Sequence, residues 1–155
     1  MTEVKRAAAA VICDAEGRVL LVRQSSGQHR WGLPGDHLGP GDLPAAAVLR
    51  EVRRETGMEV RVVDLVGLYH LTGQLGGGAE YLPDLLTYAF RCEQVTGEPV
   101  LNGRGRIDDL GWYAPDGLPA TVTATAAAAL ADCAAGRSGV VKDLTRTAER
   151  VRPAG

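Results

Sequence analysis

The sequence contains few aromatic residues, no paired cysteine motif and no long apolar run. Phe, Trp and Tyr make up 5% of its 155 residues, which leaves little aromatic surface. The apolar run over residues 7–13 ends at Asp14, so it is too short for a transmembrane helix or an ordinary signal peptide. Because Cys13, Cys92 and Cys133 are widely spaced and odd in number, we expect buried free thiols in a reducing compartment. These absences predict a cytoplasmic protein.

The composition and charge describe one globular unit. Hydrophobic residues make up 45% of the chain and charged residues 23%, and the formal net charge is −2. This charge creates no global field for nucleic acid or anionic lipid, so we expect neither as a partner, and a small anionic ligand would need a metal ion or a few arginines. No repeat or linker interrupts the chain. We therefore predict a single domain over residues 1–140 and a frayed or loosely docked tail over residues 141–155.

The order of apolar segments and turns predicts an α/β chain. Residues 7–13 and 18–23 have the pattern of a β-hairpin with a turn at residues 14–17. Residues 31–35 start extended and end at a Pro-Gly break. Further strands are predicted at residues 84–92 and in a short segment that ends at residues 112–113, and residues 59–71 form either a strand pair or one long bent strand. Residues 123–135 predict an alanine-rich helix. The glycine-dense residues 73–78 lack a P-loop ending and are interpreted as a flexible loop over the site.

A second helix is predicted between Asp42 and Gly57. Asp42 is a suitable N-cap residue, and Pro44 falls in the first turn, where a missing N–H costs little. The apolar spacing continues to Thr56, and Gly57 is a favourable residue to follow the last turn.

Two glutamates of this helix, Glu51 and Glu55, lie on roughly one face. Glu55 borders the core-facing stripe and Glu51 lies one step further out; the stripe is formed by Ala45, Val48, Leu49, Val52 and Thr56. Carboxylates four residues apart repel each other unless a cation lies between them, and Mg²⁺ or Mn²⁺ prefers oxygen ligands. The alternative is a solvated helix face bridged by salt pairs with neighbouring arginines.

Taken with the segment before it, this helix resembles the Nudix hydrolase family. The typical lead-in is present as Trp31-Gly32-Leu33-Pro34-Gly35. The end of the family's box is matched, with its spacing intact, by Arg50, Glu51, Val52, Glu55, Gly57 and Met58. Later strands, through residues 87–90 and 111–113, also resemble the closing strands of the family, so the resemblance covers about residues 5–135.

The resemblance implies both a fold and a chemistry. The implied fold is an α/β/α sandwich around a mixed β-sheet, and the implied reaction is hydrolysis of a nucleoside diphosphate linked to another group. Metal ligands carried over by position are Glu51, Glu55 and the carbonyl of Gly35, with Mg²⁺ or Mn²⁺ as the cofactor. Arg50 would brace the glutamates. Many relatives pair as dimers, which leaves a homodimer open.

Several box positions depart from the family pattern. The family's first glutamate of the final acidic pair, normally a metal ligand, is Arg54 here, and the opening glycine is Asp36. The box's first glutamate is Asp42, a further acidic position is Gly39, and a glutamate found before the late tryptophan in many relatives is Arg106. The change to Arg54 alters the local charge by two units, which could lower metal affinity by several kcal/mol. Compensation could come from Asp36, Asp108 or Asp109.

Two functional hypotheses follow. In the first, the protein is a metal-dependent diphosphate hydrolase in which Glu51 or Glu55 is the base, and spacing does not decide between them. Arg54 would then bind phosphate, with Arg23 and Arg30 as further phosphate-binding candidates; each has the alternative of being an ordinary surface arginine. In the second, the protein is a nucleotide-binding module that does not cleave its ligand, a hypothesis favoured by Arg54 and Arg106.

Overall fold

The fold contains eight strands and two helices in the described residues. A computed structural model describes residues 3–72, 82–101 and 106–146. The elements in chain order are β1 (Val4–Ile12), β2 (Val19–Gln24), β3 (Trp31–Gly32), β4 (Gly35–His37), α1 (Pro44–Thr56), β5 (Glu59–Thr72), β6 (Asp84–Thr96), β7 (Ile107–Tyr113), α2 (Ala124–Ala134) and β8 (Val140–Thr145). The predicted loop at residues 73–78 lies outside the described residues.

The strands form two sheets. The larger is mixed, in the order β4-β1-β6-β5-β8, with β1 parallel to β6 and β5 parallel to β8. The smaller has the order β3-β2-β7 and is antiparallel. The predicted hairpin of the first two strands is therefore wrong: after one bridge between Cys13 and Val19, β1 and β2 separate into different sheets. Residues 7–12 of β1 and 19–22 of β2 are buried without alternation, so a local hairpin could not satisfy the burial of both faces of each strand.

The two helices lie on opposite faces of the larger sheet. Side chains alternate along β1, so Ala8, Ala10 and Ile12 pack in one cluster with Val48 and Val52 of α1. On the other face, Val11 belongs to a cluster with Ala129 and Leu130 of α2. The predicted α/β/α sandwich around a mixed sheet is confirmed.

Helix α1 has the predicted bounds but a different N-cap. Pro44 is in the first turn, and Gly57 ends the helix with φ 74°, donating its N–H to the carbonyl of Arg53. The N-cap is Leu43, without a side-chain cap, so the prediction of Asp42 was wrong. The Asp42 carboxylate instead accepts the N–H of Gly39 at 2.8 Å, because it folds back over the preceding loop.

The buried face of α1 is wider than the wheel predicted. Ala47 and Glu51 are buried together with Val48, Val52 and Glu55, whereas Ala45 is exposed, contrary to its assignment to the core-facing stripe. Ala45 lies in the first turn, before the helix reaches the sheet. The consequence is that Glu51 lies within the buried face and not beside it.

The later strands are longer than their local patterns indicated. β5 is one strand of 14 residues with irregular register, which selects the bent-strand alternative. β6 continues to Thr96, and β7 begins at Ile107. Residues 140–145, expected in a frayed or loosely docked segment, form β8 and pair in parallel with β5. The prediction of a frayed or loosely docked tail therefore remains only for residues 147–155, which lie outside the described part of the chain.

Candidate active site

The carboxylates of Glu51 and Glu55 are both buried at the junction of α1 with β4. Each residue is 8% exposed. Glu55 Oε1 accepts the backbone N–H of Gly35 at 2.9 Å, its only hydrogen bond within the described residues. The lead-in segment and the helix are thus joined through Gly35 and Glu55, which are 20 positions apart in the sequence.

Gly35 occupies a position that no other residue fits. Its φ is 153°, and a Cβ added there would lie 2.1 Å from the carbonyl oxygen of Ala8. Ala10 donates its N–H to the carbonyl of Pro34 at 2.9 Å, so the alternation of antiparallel pairing places Gly35 opposite Ala9 at a position without ladder hydrogen bonds. The N–H and carbonyl of Gly35 are therefore directed away from β1. This leaves its carbonyl available as an oxygen ligand.

Arg54 links two acidic side chains of the site. Its Nε and Nη2 donate to Glu51 Oε2 at 3.0 and 2.5 Å, and Nη2 also donates to Asp36 Oδ2 at 3.2 Å. Arg106, which is 70 positions from Asp36 in the sequence, pairs with the same Asp36 oxygen. The two arginines that replace acidic residues of the family pattern thus share one carboxylate, Asp36. The sequence analysis identified Asp36, Arg54 and Arg106 as separate departures from the family pattern, and no local signal indicated that they contact one another.

Arg50 lies at the outer side of the same cluster. Its Nε is 3.7 Å from Glu51 Oε1, and its Nη2 is 3.5 Å from Asp42 Oδ2. Glu51 is therefore flanked by a guanidinium at each oxygen, since Arg54 contacts the other one. This position agrees with the bracing role that the resemblance implies for Arg50.

Glu55 is held in an unfavourable electrostatic environment. Burial raises the pKa of its carboxyl to about 7, and the nearby Glu51 and Asp36 carboxylates act in the same direction. The Gly35 N–H and the Arg54 guanidinium oppose the shift without cancelling it. The carboxyl therefore has less stabilisation of its anion than burial requires, which is typical of functional sites.

Two predicted phosphate-binding residues lie outside this cluster of contacts. Arg23 donates to Asp108 Oδ1 at 2.8 Å, and its Cζ lies 5.7 Å from the centroid of the Trp31 ring. Asp108, one of the acids expected to compensate for Arg54, is therefore paired with Arg23. Arg30 is buried, donates to Gln28, and has an Nε without a hydrogen-bond partner in the described part of the chain. Among the described residues, no hydrogen bond or ion pair joins either arginine to the α1 glutamates. Their assignment to phosphate stays a prediction.

The donors at α1 fit a hard divalent ion in kind. Two carboxylates and a carbonyl directed away from the sheet are the oxygen ligands that Mg²⁺ and Mn²⁺ prefer. No group of three or more His, Cys, Asp or Glu side chains is arranged to hold a metal within residues 3–72, 82–101 and 106–146. Arg54 lies beside the pair, at the position where the family has another acidic ligand.

Comparison with known proteins identifies related sequences and folds. A sequence profile of the NUDIX domain matches residues 3–133. A MutT-like protein of Streptomyces ambofaciens is 31% identical over 108 residues, which are 70% of this chain and 62% of that protein. This chain therefore spans less than two thirds of the length of that relative.

Solved structures share the same architecture. The MutT NUDIX hydrolase from Burkholderia pseudomallei matches with a TM-score of 0.73 and 25% identity, over 84% of this chain and 98% of that chain. A UDP-X diphosphatase matches with a TM-score of 0.70 and 23% identity, over 92% of this chain and 68% of that one. Within the described residues, neither helix is long and apolar enough to cross a membrane.

Proposed function

The chain belongs to the NUDIX family, and from this premise we propose that it hydrolyses the diphosphate bond of a nucleoside diphosphate linked to another group. The observation that carries the proposal is the placement of Glu51 and Glu55, both buried on one face of α1, against the backbone of Gly35. Similarity to a UDP-X diphosphatase and to MutT-type proteins supports this class of substrate.

A divalent ion fits the proposed chemistry. Glu51, Glu55 and the Gly35 carbonyl would hold Mg²⁺ or Mn²⁺. The bound ion would supply positive charge that neutralises the phosphate oxygens. Burial of both carboxylates keeps them away from bulk water, which strengthens their electrostatic interactions.

The two glutamates have different partners, and this difference favours Glu55 as the base. Both oxygens of Glu51 lie near guanidinium groups, those of Arg50 and Arg54, so each oxygen of this carboxylate already has a charged partner. Glu55 accepts one backbone hydrogen bond, through Oε1. In the proposed step Glu55 accepts a proton from the water that attacks phosphorus.

Arg54 has the exposure and charge to bind phosphate. Its side chain is 51% exposed and lies beside the proposed metal ligand Glu51, which it contacts together with Asp36. A guanidinium binds two phosphate oxygens at once, and its positive charge would act on phosphate as a second metal ion does in relatives. We propose that it orients the diphosphate.

Turnover measurements test this function. The protein would be incubated with nucleoside triphosphates, ADP-ribose and UDP-sugars, each with Mg²⁺ or Mn²⁺, and phosphate or nucleotide products would be measured. We expect cleavage of a diphosphate-linked substrate, and a loss in kcat of roughly 10²–10⁴-fold in Glu55→Gln, the magnitude typical of removing a general base. Glu16→Gln, a change in the exposed first turn, is the matched control. Unchanged turnover in Glu55→Gln would contradict the assignment.

The contact between Arg54 and Glu51 favours a second candidate, a module that binds a nucleotide without cleaving it. A guanidinium 2.5 Å from a ligand oxygen competes with a metal ion for that oxygen. If this is the function, the same ligands raise the melting temperature of the protein without turnover, and Arg54→Glu creates metal-dependent cleavage. If the hydrolase proposal is correct, the unmodified chain cleaves its substrate, and Arg54→Glu raises the KM because a phosphate contact is lost.

A further inference from the structure

A cavity on the α2 side of the sheet contains cysteines that the proposed hydrolysis does not use. Its volume is about 440 Å³, and its lining includes Val11, Val19, Leu130, Cys13, Cys133 and Arg91. Cys13 follows the last residue of β1 and is exposed, whereas Cys133 lies in the last turn of α2 and is half-buried. The expectation of buried thiols is therefore wrong for these two residues and confirmed for Cys92.

Arg91 holds a positive charge against Cys133. Its Nη1 donates to Cys133 Sγ at 3.3 Å. The same guanidinium donates through Nε to Asp64 Oδ1 at 2.9 Å and through Nη2 to the carbonyl of Arg137 at 2.7 Å. Because Asp64 and the carbonyl of Arg137 both hold the guanidinium, it cannot turn away from the sulfur without breaking those two contacts. A fixed cation beside a partly accessible thiol is the environment of a reactive cysteine.

The three thiols differ in how readily they ionise. A hydrogen bond with Cys13 lowers the pKa of Cys133, and the charge of Arg91 adds to this effect, against the opposing influence of burial and of Asp64. The pKa of Cys13 is raised by the same thiol–thiol hydrogen bond and by burial. Burial raises the pKa of Cys92 to about 12. The thiolate is the form of cysteine that a hydroperoxide oxidises, and a second thiol nearby can condense with the sulfenic acid that results.

We propose that Cys133 and Cys13 form a peroxide-sensitive dithiol that closes to an intramolecular disulfide. In the first step the Cys133 thiolate attacks a hydroperoxide, the O–O bond breaks, and sulfenic acid and hydroxide (or alkoxide) are formed. In the second step the Cys13 sulfur attacks the sulfenic sulfur, the S–O bond breaks, and the Cys13 proton leaves with the oxygen as water. Two thiols are oxidised by two electrons, and the peroxide is reduced. The disulfide would join the end of β1 to the end of α2.

Peroxide treatment of the full chain tests the proposal. The folded protein would be exposed to hydrogen peroxide, unfolded, alkylated and examined by mass spectrometry. We expect a product that has lost two hydrogens, a cross-linked peptide pair containing Cys13 and Cys133, and Cys92 as the remaining thiol that is alkylated. Dimers linked through these cysteines, or a product with both thiols unmodified, would overturn the proposal.

Three variants distinguish the role of each thiol. In Cys13→Ser the sulfenic acid at Cys133 cannot be resolved, so we expect it to be trapped by dimedone at that residue. In Cys133→Ser we expect no cross-link and no dimedone adduct at Cys13. Cys92→Ala is the matched control, and its cross-link should form as in the unmodified chain. Equal rates of alkylation at Cys92 and Cys133 in the folded protein would contradict the selective reactivity, for which we expect a difference of at least about tenfold.

Discussion

Two buried acids, Asp132 on α2 and Glu55 on α1, lie on opposite faces of the same sheet and have opposite surroundings. Asp132 accepts hydrogen bonds from Tyr69, Arg137 and Lys142, each at 2.8 Å. Although burial opposes ionisation, these bonds hold its pKa at about 2. Glu55 has one backbone hydrogen bond, and burial raises its pKa to about 7. Asp132, the fully paired acid, joins α2 to β5 and β8 through its hydrogen bonds. Glu55, which has fewer partners, remains available to bind a cation or a proton.

The comparison separates stability from function. A satisfied buried charge stabilises the fold, and removing it leaves its partners without an acceptor. An acid whose anion is poorly stabilised makes the fold less stable than it could be, a cost that proteins tolerate at functional sites. Substitutions at the two sites should therefore change stability in opposite directions.

The largest effect on stability is expected for Asp132→Ala. This change leaves the buried hydroxyl of Tyr69 without its acceptor and removes two charged contacts, so we expect a loss of roughly 3 kcal/mol in the free energy of unfolding. Urea denaturation at pH 7 measures it. Asp143→Ala, at an exposed position of β8, is the control and should change the free energy by less than about 0.5 kcal/mol. If Asp132→Ala lowered the free energy of unfolding no more than Asp143→Ala does, the buried, fully paired acid would not stabilise the fold, which would contradict the comparison.

Glu55→Gln is expected to stabilise the metal-free protein at high pH. The pKa of Glu55 is raised from 4.5 in the unfolded chain to about 7 in the folded protein, so the folded state retains a proton that the unfolded state loses. Stability therefore falls as the pH rises through this window and stays lower above it. In EDTA at pH 8 we expect the variant to be more stable by up to about 3 kcal/mol, and at pH 4 the difference should vanish. A difference independent of pH would contradict the account.

The smallest effect is expected for Lys142→Met. Lys142 is one of two cations on Asp132, its side chain is 40% exposed, and Arg137 keeps its own bond to the same oxygen. We expect a loss of about 1 kcal/mol in the free energy of unfolding, the value of a partly exposed charged contact. A loss as large as that of Asp132→Ala would mean that the three partners act as one unit and cannot be separated pairwise.

The sequence predicted the helix of the proposed active site well because its signals are local. Pro44, Gly57 and the apolar spacing between them set the bounds of α1, and Val48, Val52 and Thr56 of the predicted stripe are buried. The wheel placed Glu51 outside that stripe, whereas the structure buries it. The resemblance also predicted the layered fold, which the position of α1 and α2 on opposite faces confirms.

Long-range contacts were not predictable in the same way. The strand β8 is a short alternating segment in a charged region, and only its pairing with β5, more than 70 residues earlier, stabilises it as a strand. The contact of Arg106 with Asp36 and the convergence of Arg91 on Cys133 also join distant parts of the chain. Nothing in the local pattern of either segment indicates its partner.

Soaking crystals of the protein in Mn²⁺ and measuring anomalous scattering tests the central claim most directly. If Glu51, Glu55 and the Gly35 carbonyl form a cation site, an anomalous peak should appear within about 2.5 Å of their oxygens and should be absent from Glu55→Gln crystals treated identically. Manganese bound elsewhere, with the Arg54 guanidinium still on Glu51 and no peak beside Glu55 at saturating concentration, would contradict the proposed site.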